Sequence, residues 1–227
     1  MKRLATTAQM KELDRVAIEE WKIPSLDLME RAAEAVVKKV RQITEQEQIA
    51  GDRRITIFCG PGNNGGDGIA AARLLMEAGC EVHVYLVGDR AKMTPDSLAM
   101  EQKLLLAGGK LEDYMPDDPM QQEWIQSSIC MIDALFGVGL KRPIMGDFLP
   151  AVRQMNRIDC PVVSCDIPSG IDGDTGSILG EAVRADYTIT FTCSKYGLEQ
   201  GDGKTHAGTV EVVSIGIPEE LICQMQL

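Results

Sequence analysis

Short apolar runs that alternate with helical segments are the feature of this sequence that most restricts its fold. The runs at 55–59, 81–87, 129–133, 161–165, 187–192 and 209–214 have the length and composition of β-strands. Helix-start signals lie between them, with Thr94 before Pro95 and Asp118 before Pro119. This alternation is typical of α/β proteins, so we predict a mainly parallel sheet with helices on both faces.

Two helical segments precede the first predicted strand, one at 7–21 and one that follows Pro24-Ser25. The second segment carries an apolar stripe of near-heptad spacing, which consists of Leu26, Met29, Ala33, Val36, Val40 and Ile43. Such a stripe packs either on the sheet of its own domain or on a second subunit. We expect it to pack within the domain.

The length, charge and cysteine content restrict the class of protein. A chain of 227 residues suits a single domain spanning 1–227. No apolar run approaches the ~18 residues of a membrane span, and the start, MKRLATTAQMKELD, lacks the apolar stretch of a signal peptide. The net charge of −11 argues against nucleic acid as a partner. Seven cysteines without a CxxC pair predict a reducing, cytoplasmic location, with neither a disulfide framework nor a zinc site.

The loop after the first strand has the composition of a phosphate-binding loop. Its glycines Gly60, Gly62 and Gly65 satisfy GxGxxG between a strand and a helix, where backbone N–H groups can approach a phosphate. The loop lacks the Lys-Ser/Thr pair of a P-loop. The second strand ends near Asp89 and Arg90, which leaves NAD and NADP as alternatives, since Asp89 is a weak candidate to bind a ribose and Arg90 could bind a ribose phosphate.

Acidic residues end two later strands. Asp133 precedes a GVGL segment, and Asp166 follows the 161–165 run. Ligands bind at the carboxyl ends of parallel strands, so the two carboxylates can face one cleft, where they would titrate unusually or hold a cation. Asp172 and Asp174 more closely match a turn than a calcium loop, because Val183 stands where an EF-hand needs Glu.

Lysine and histidine are two further residue types that can carry chemistry. Lys195 follows the 187–192 run, where it would either meet a phosphate or carboxamide or be a solvated surface lysine. His83 lies inside a predicted strand and His206 in a loop, away from the expected cleft. A dehydrogenase of a hydroxy acid often needs a histidine proton relay, so these positions count against redox catalysis.

Four segments in this order, GPGNNGGDG (60–68), DALFGVGLKRP (133–143), SCDIPSGIDGDTG (164–176) and TFTCSKYGL (190–198), resemble the NAD(P)HX epimerase family, also called the YjeF N-terminal domain family. The resemblance implies a Rossmann-like three-layer α/β/α sandwich and a homodimer. It also implies an isomerase that interconverts the R and S forms of hydrated NADH or NADPH (NADHX or NADPHX) at C6. A partner dehydratase, fused C-terminally in many bacteria, would then restore the S form to NAD(P)H.

The resemblance also implies roles for individual residues. Asp166 would lie close to the reacting ring, and potassium would be held by Asn64, Asp133 and Ser169, whose hard oxygen donors suit a monovalent cation. Substrate would be bound by Asn63, Asn64, Gly65, Gly66 and Asp67 in one loop and by Gly137, Val138, Gly139, Leu140, Lys141, Arg142 and Pro143 in another.

The C6 carbon bears a hydroxyl beside the ring nitrogen, so its configuration inverts by loss and return of hydroxide or by ring opening. Either route needs a group that gives and takes a proton, and we assign this role to Asp166, with Lys195 as the second candidate. The potassium site would order the loops and tune Asp166. Two alternatives stay open at this point: a non-catalytic module that binds a nucleotide or a protein, as in relatives named for binding apolipoprotein A-I, and an ordinary NAD(P) dehydrogenase.

Overall fold

The computed structural model describes residues 3–46 and 54–227. Its main sheet has seven strands, all parallel to their neighbours, in the order β4-β3-β2-β5-β6-β7-β9. These strands are β2 (Arg54–Cys59), β3 (Glu81–Leu86), β4 (Leu111–Asp113), β5 (Cys130–Ala134), β6 (Val162–Cys165), β7 (Tyr187–Phe191) and β9 (Thr209–Val213). A separate small sheet pairs β1 (Leu4–Ala5) with β8 (Ser194–Lys195).

Helices cover both faces of the main sheet, so the predicted three-layer α/β/α architecture is confirmed. The helices of the described part are α1 (Thr7–Glu19), α2 (Ser25–Gln46), α3 (Asn63–Glu77), α4 (Pro95–Leu106), α5 (Pro119–Gln126), α6 (Phe148–Arg157), α7 (Tyr196–Glu199), α8 (Gly201–His206) and α9 (Glu219–Gln224). One apolar core lies under α1, α2, α3, α4 and α9, and a second lies under α5 and α6.

The two N-terminal helices belong to this domain, as expected. A capping box starts α1, in which the Thr6 hydroxyl accepts from the Gln9 backbone N–H and the Gln9 side chain accepts from the Thr6 N–H. The apolar stripe of α2 is buried in the core, with Ala33, Val36 and Val40 at 0% exposure. The stripe therefore packs within the chain, on α3 and the sheet.

The predicted helix after the first strand begins earlier than the sequence indicates. The helical pattern of the sequence begins at Ile69, after the glycines, but α3 starts at Asn63, so most of the glycine-rich segment is helical. Glycine disfavours helix by about 1 kcal/mol per residue, which explains the prediction. Close packing overrides this preference, because Gly66 lies against Met29 of α2 and Gly68 against Ala134 of β5.

The chain reverses its direction of strand addition between β2 and β5. From β2 it adds β3 and β4 on one side, and from β5 it adds β6, β7 and β9 on the other. The loops that follow β2 and β5 therefore diverge at the carboxyl edge, which is where open α/β sheets bind ligands. Among the described helices, none combines the length and apolar character that a bilayer crossing requires.

Candidate active site

A cavity of about 740 Å³ opens where the loops after β2 and β5 diverge. This volume lies within the usual range for small-molecule and cofactor sites. Its walls come from α1, α2, the start of α3, the segment 135–142, and the residues that follow β6 and β7. The cavity therefore collects most of the residues that the sequence singled out.

The start of α3 faces this cavity. Gly62 is the N-cap residue and supplies no side-chain cap, so the first N–H groups of this 15-residue helix are not capped by a side chain there. Asn63 and Asn64, in the first turn, line the cavity. A helix start with free N–H groups and a positive dipole end is a site for a phosphate or diphosphate.

Packing alone requires two of the glycines around this helix start. A Cβ on Gly60 would lie 2.1 Å from the Leu135 carbonyl oxygen, and one on Gly65 would lie 1.7 Å from the Gly60 carbonyl oxygen. A Cβ on Gly62 would meet nothing within 4 Å. The motif thus brings the β2–α3 turn against the segment after β5, and the cavity lies beside that contact.

Asp166 stands directly after β6 in a strained backbone conformation. Its φ of 66° lies in the left-handed region, which costs a non-glycine residue on the order of 1 kcal/mol or more. Its backbone N–H donates to Ile189 O at 2.7 Å, and the next N–H, of Ile167, donates to Cys165 O at 2.8 Å. This bend turns the Asp166 side chain into the cavity wall.

The two oxygens of Asp166 have different surroundings. Oδ1 accepts from the Lys195 ammonium and from Thr190 Oγ1, the latter at 3.2 Å. Oδ2 accepts no hydrogen bond from the residues that the structure describes and points towards Gly137, where a Cβ would lie 3.1 Å away. One oxygen is therefore held by the protein, and the other is available to a ligand.

Lys195 is buried, which contradicts the alternative of a solvated lysine. Its side chain is 1% exposed, and its ammonium donates to Asp166 Oδ1, to Thr190 Oγ1 at 2.8 Å and to Phe191 O at 3.1 Å. Three acceptors for three N–H groups leave the ammonium fully used. Burial of a long cationic side chain is costly unless it is paired, and Asp166 supplies the pair.

Asp133 does not share the cleft with Asp166, contrary to the expectation of two facing carboxylates. It is 0% exposed and accepts from Ser164 Oγ, Ser169 N, Ser169 Oγ and Leu135 N at 2.6–3.3 Å. Burial raises the pKa of Asp133, and these hydrogen bonds oppose the rise. The residue lies one position before the end of β5, so its side chain points beneath the loops instead of into the cavity.

The three residues implied to hold potassium fit a cation bound by oxygen atoms. Asp133 forms no ion pair with any described residue, and Ser169 Oγ lies 2.6 Å from its Oδ1. The Nδ2 atom of Asn64 is buried without a hydrogen-bond partner in the described parts of the chain. The Nδ2 group is a donor and cannot ligate a cation, so the fit rests on oxygen atoms: the Asp133 carboxylate, the Ser169 hydroxyl and Asn64 Oδ1 are hard donors that suit a weakly charged ion.

The loop after β5 supplies positive charge to a protein whose net charge is −11. Lys141 and Arg142 line the cavity, and Lys11 of α1 joins them. Lys141 donates to Asp174 at 2.8 Å, which raises the pKa of the lysine. Asp172 accepts from two backbone N–H groups and shapes the turn, as the sequence indicated.

Most of the predicted substrate residues line the cavity, and a few do not. Gly65, Gly66 and Pro143 do not line it: the two glycines are buried in α3, and Pro143 is exposed. Arg90 forms ion pairs with Glu101 and Asp113, so the residue that could have bound a ribose phosphate is engaged elsewhere. The predicted residues in the wall are Asn63, Asn64, Asp67, Gly137, Val138, Gly139, Leu140, Lys141, Arg142, Asp166 and Lys195.

The histidines lie outside the cavity, as expected. His83 stacks on Trp124 with ring centroids 3.6 Å apart, and His206 Nδ1 lies 2.9 Å from the carbonyl oxygen of Asp202. Neither lines the cavity wall. Asp166 and Lys195, which line the cavity, are therefore the candidates for proton transfer that the sequence named.

Sequence reasoning missed the contribution of the N-terminal helices to this cavity. Lys11 and Asp14 of α1 line it together with residues of α2. Burial, followed by the nearby Asp166 carboxylate, raises the pKa of Asp14 to about 6. Burial and the carboxylates of Asp166 and Asp14 also raise the pKa of Asp67 well above its usual value. The signal in the sequence was a carboxylate, Asp14, on the same helical face as Met10 and Ile18.

Comparison with known proteins identifies the family. A family model described as the N-terminus of YjeF-related proteins matches residues 25–197. The chain belongs to this family. The resemblance inferred from the four segments is thus confirmed.

Members of the YjeF-related family align with the chain over nearly its whole length. It is 38% identical to the NAD(P)H-hydrate epimerase of Levilactobacillus brevis, over 96% of this chain and 95% of that protein. It is 39% identical to the bifunctional NAD(P)H-hydrate repair enzyme Nnr of Moorella thermoacetica, over 96% of this chain but 41% of that protein. The chain thus spans about two fifths of the bifunctional relative and nearly all of the epimerase.

A solved structure supports the YjeF-related fold. The crystal structure of yeast ynu0 matches with a TM-score of 0.81 at 23% identity, over 99% of this chain and 94% of that one. At this identity the match concerns the fold alone. It covers the N-terminal helices as well as the sheet.

Proposed function

We propose that this chain is an NAD(P)H-hydrate epimerase, an isomerase that interconverts the R and S forms of NADHX and NADPHX at C6. The observation that carries the proposal is the free oxygen of Asp166 in the cavity beside the start of α3. Identity to named epimerases at 36–38% over more than nine tenths of both chains supports the same activity.

Substrate binding follows from the charges around the cavity. The diphosphate of a dinucleotide suits the first turn of α3, at Asn63 and Asn64, where N–H groups and the helix dipole favour an anion. Lys11, Lys141 and Arg142 add positive side chains on the same wall. With the diphosphate there, the hydrated ring can extend towards Asp166.

Asp166 gives and takes the proton at the C6 oxygen. When the hydroxyl leaves as water, the C6–O electron pair goes to oxygen and the ring nitrogen forms a double bond to C6. Water that returns to the other face gives the opposite epimer, and its extra proton passes to a carboxylate. Lys195 and Thr190 hold Oδ1, so Oδ2 is the oxygen placed for this transfer.

Potassium would be held by Asn64, Asp133 and Ser169, as the resemblance implies. When bound, the ion would supply a positive charge beneath the loops that carry Asn63 and Asp166. The buried carboxylate of Asp133 supports this proposal, since it has no cationic partner among the described residues. The homodimer and the cytoplasmic location stay predictions.

A second repair activity would use the product. The name of the Moorella relative describes a bifunctional repair enzyme, which supports a dehydratase as the partner reaction. The dehydratase would remove water from the S form. This consumption of S would shift the epimerisation from R towards S.

The experiment starts with a chemically prepared R/S mixture of NADHX. A dehydratase specific for the S form acts with its nucleotide until only R is left, then this protein is added and absorbance of NADH is followed. Prompt recovery of the remaining signal is the expected result. Recovery at the uncatalysed rate, together with measurable binding of NADH, would instead favour a non-catalytic binding module.

The Asp166→Asn variant tests the residue assignment. We expect it to lose turnover by at least about 10³-fold while it still binds NADH, because the amide keeps the shape but cannot accept the proton. The matched control is Asp202→Asn, which changes an exposed aspartate on α8. Full activity in Asp166→Asn would refute the role of Asp166.

A further inference from the structure

Asp14 is a carboxyl group of the cavity that the reaction described so far does not use. It lies on the face of α1 that carries Met10, Lys11 and Ile18, all of which line the cavity. The opposite side of the same helix is exposed and carries Glu12, Arg15 and Glu19. Asp14 is therefore directed to the ligand space by the helix itself.

No interaction with a described residue accounts for the position of the Asp14 carboxyl group. Within residues 3–46 and 54–227, the structure gives it no hydrogen bond and no ion pair. By contrast, two acidic residues near the cavity are engaged: Asp174 accepts from Thr7 at 2.6 and 2.7 Å, and Asp172 accepts from Thr175. A half-buried carboxyl group without a partner costs stability, which is typical of groups kept for function.

The environment of Asp14 suits a proton donor near neutral pH. Burial and the Asp166 carboxylate raise the pKa of Asp14 to about 6, against the opposing effect of Lys195. Asp166 is ion-paired with Lys195, whereas Asp14 has no ion pair with a described residue, so the two carboxyl groups of one cavity have different surroundings. The other charged or titratable groups of the cavity wall are Lys11, Asp67, Asp96, Lys141 and Arg142.

We propose that Asp14 is a second proton-transfer residue of the epimerase, which works with Asp166 on the C6 oxygen. The inference rests on the proposed function. Epimerisation needs one group to protonate the departing hydroxyl and one to deprotonate the returning water. Two carboxyl groups on different elements, α1 and the end of β6, divide these tasks.

The proposed step balances without any redox partner. Asp14 gives its proton to the C6 hydroxyl oxygen, the C6–O bond breaks with its electron pair on oxygen, and water leaves. The lone pair of the ring nitrogen forms the double bond to C6. Water then attacks the other face of C6, the double-bond pair returns to nitrogen, and Asp166 takes the proton. The reverse reaction starts with Asp166 protonated and Asp14 ionised.

The test compares Asp14→Asn with Glu12→Gln, a matched carboxyl-to-amide change on the exposed face of α1. We expect kcat of Asp14→Asn to fall about 10²–10⁴-fold with KM changed less than about threefold, and both values of Glu12→Gln to be unaffected. Wild-type kcat/KM, measured from the R form, should fall as pH rises above about 6, and this limb should be absent from Asp14→Asn.

A second variant separates chemistry from structure. Asp14→Ala leaves a space, and added formate should restore part of its rate, because formate supplies the missing carboxyl group. A residue with only a structural role would not show this rescue. The inference is overturned if Asp14→Asn keeps kcat within about twofold of wild type, or if formate gives no rescue and the pH limb is unchanged. A wild-type protein without epimerase activity would overturn the proposed function and this inference together, whereas an unaffected Asp14→Asn overturns the inference alone.

Discussion

Lys195 and Asp166 form a buried ion pair, in which the lysine side chain is 1% and the aspartate side chain 10% exposed. The two residues follow adjacent strands, β7 and β6, and the ammonium reaches one carboxylate oxygen only. Because the ion pair uses Oδ1 alone, the second carboxylate oxygen, Oδ2, stays available on the side of the cavity. A buried ion pair of this kind contributes less to stability than to the orientation of its members.

Removal of the lysine should therefore damage both folding and activity. In Lys195→Met the Asp166 carboxylate loses its only ion-pair partner in the described residues, so we expect the free energy of unfolding to fall by about 3–5 kcal/mol. We expect kcat to fall at least about 10²-fold in the fraction that folds, because Asp166 is no longer held. Urea unfolding and the epimerase assay measure the two effects.

The control for Lys195→Met is Lys92→Met, since Lys92 is 75% exposed and its nearest carboxylate oxygen is 3.6 Å away. Its effect on stability should stay within about 0.5 kcal/mol. Lys195→Met combined with Asp166→Asn should lose no more activity than the worse single variant, since the two residues act as a unit. Additive losses would show that they act separately.

The start of α3 gives a prediction about glycine. Gly65→Ala should destabilise the protein severely or prevent folding, because the new Cβ would lie 1.7 Å from the Gly60 carbonyl oxygen. Gly62→Ala, three residues earlier, should cost only about 0.5–1 kcal/mol, the difference between glycine and alanine at an N-cap, since nothing lies within 4 Å of its Cβ position. Thermal unfolding of both variants measures the difference, and equal midpoints would disprove the packing argument.

Potassium should raise thermal stability independently of activity. An ion that binds the folded state alone stabilises it by about RT ln(1 + [K⁺]/Kd), so the unfolding midpoint should rise with KCl relative to choline chloride at equal ionic strength. Asn64→Ala should weaken this increase, because it removes one of the three proposed donors. An identical response to both salts would show that these residues do not bind the ion.

The pKa of Asp14 gives a prediction about stability and pH. The pKa of its carboxyl group is raised from 3.8 to about 6 by burial, so the folded chain holds a proton that the unfolded chain releases. Asp14 is thus neutral to stability below about pH 4 and destabilising as pH rises through about 6. Asp14→Asn should therefore be more stable than wild type by about 1–3 kcal/mol at pH 7 and similar to it at pH 3.5. A variant that is less stable at pH 7 would contradict this sign.

Local signals in the chain predicted most of the sheet and its ends. Six strands lie within one or two residues of their predicted bounds, because each is a short apolar run with turn residues after it. They are β2, β3, β5, β6, β7 and β9. Thr94 and Asp118 cap α4 and α5 as expected, since capping depends on adjacent residues. The segment β4, with three residues, and the pair β1 and β8, with two each, carry too few residues for such a signal.

The sequence by itself determined the α/β class, the parallel sheet, the family and the loops in which ligand residues occur, because periodicity, caps and motifs are properties of neighbouring residues. Only the tertiary structure decided that Lys195 is buried against Asp166, that Asp133 lies beneath the cavity, and that Asp14 of the first helix faces it. These facts depend on contacts between residues 29 or more positions apart and on the exclusion of water from them, and no local pattern encodes either.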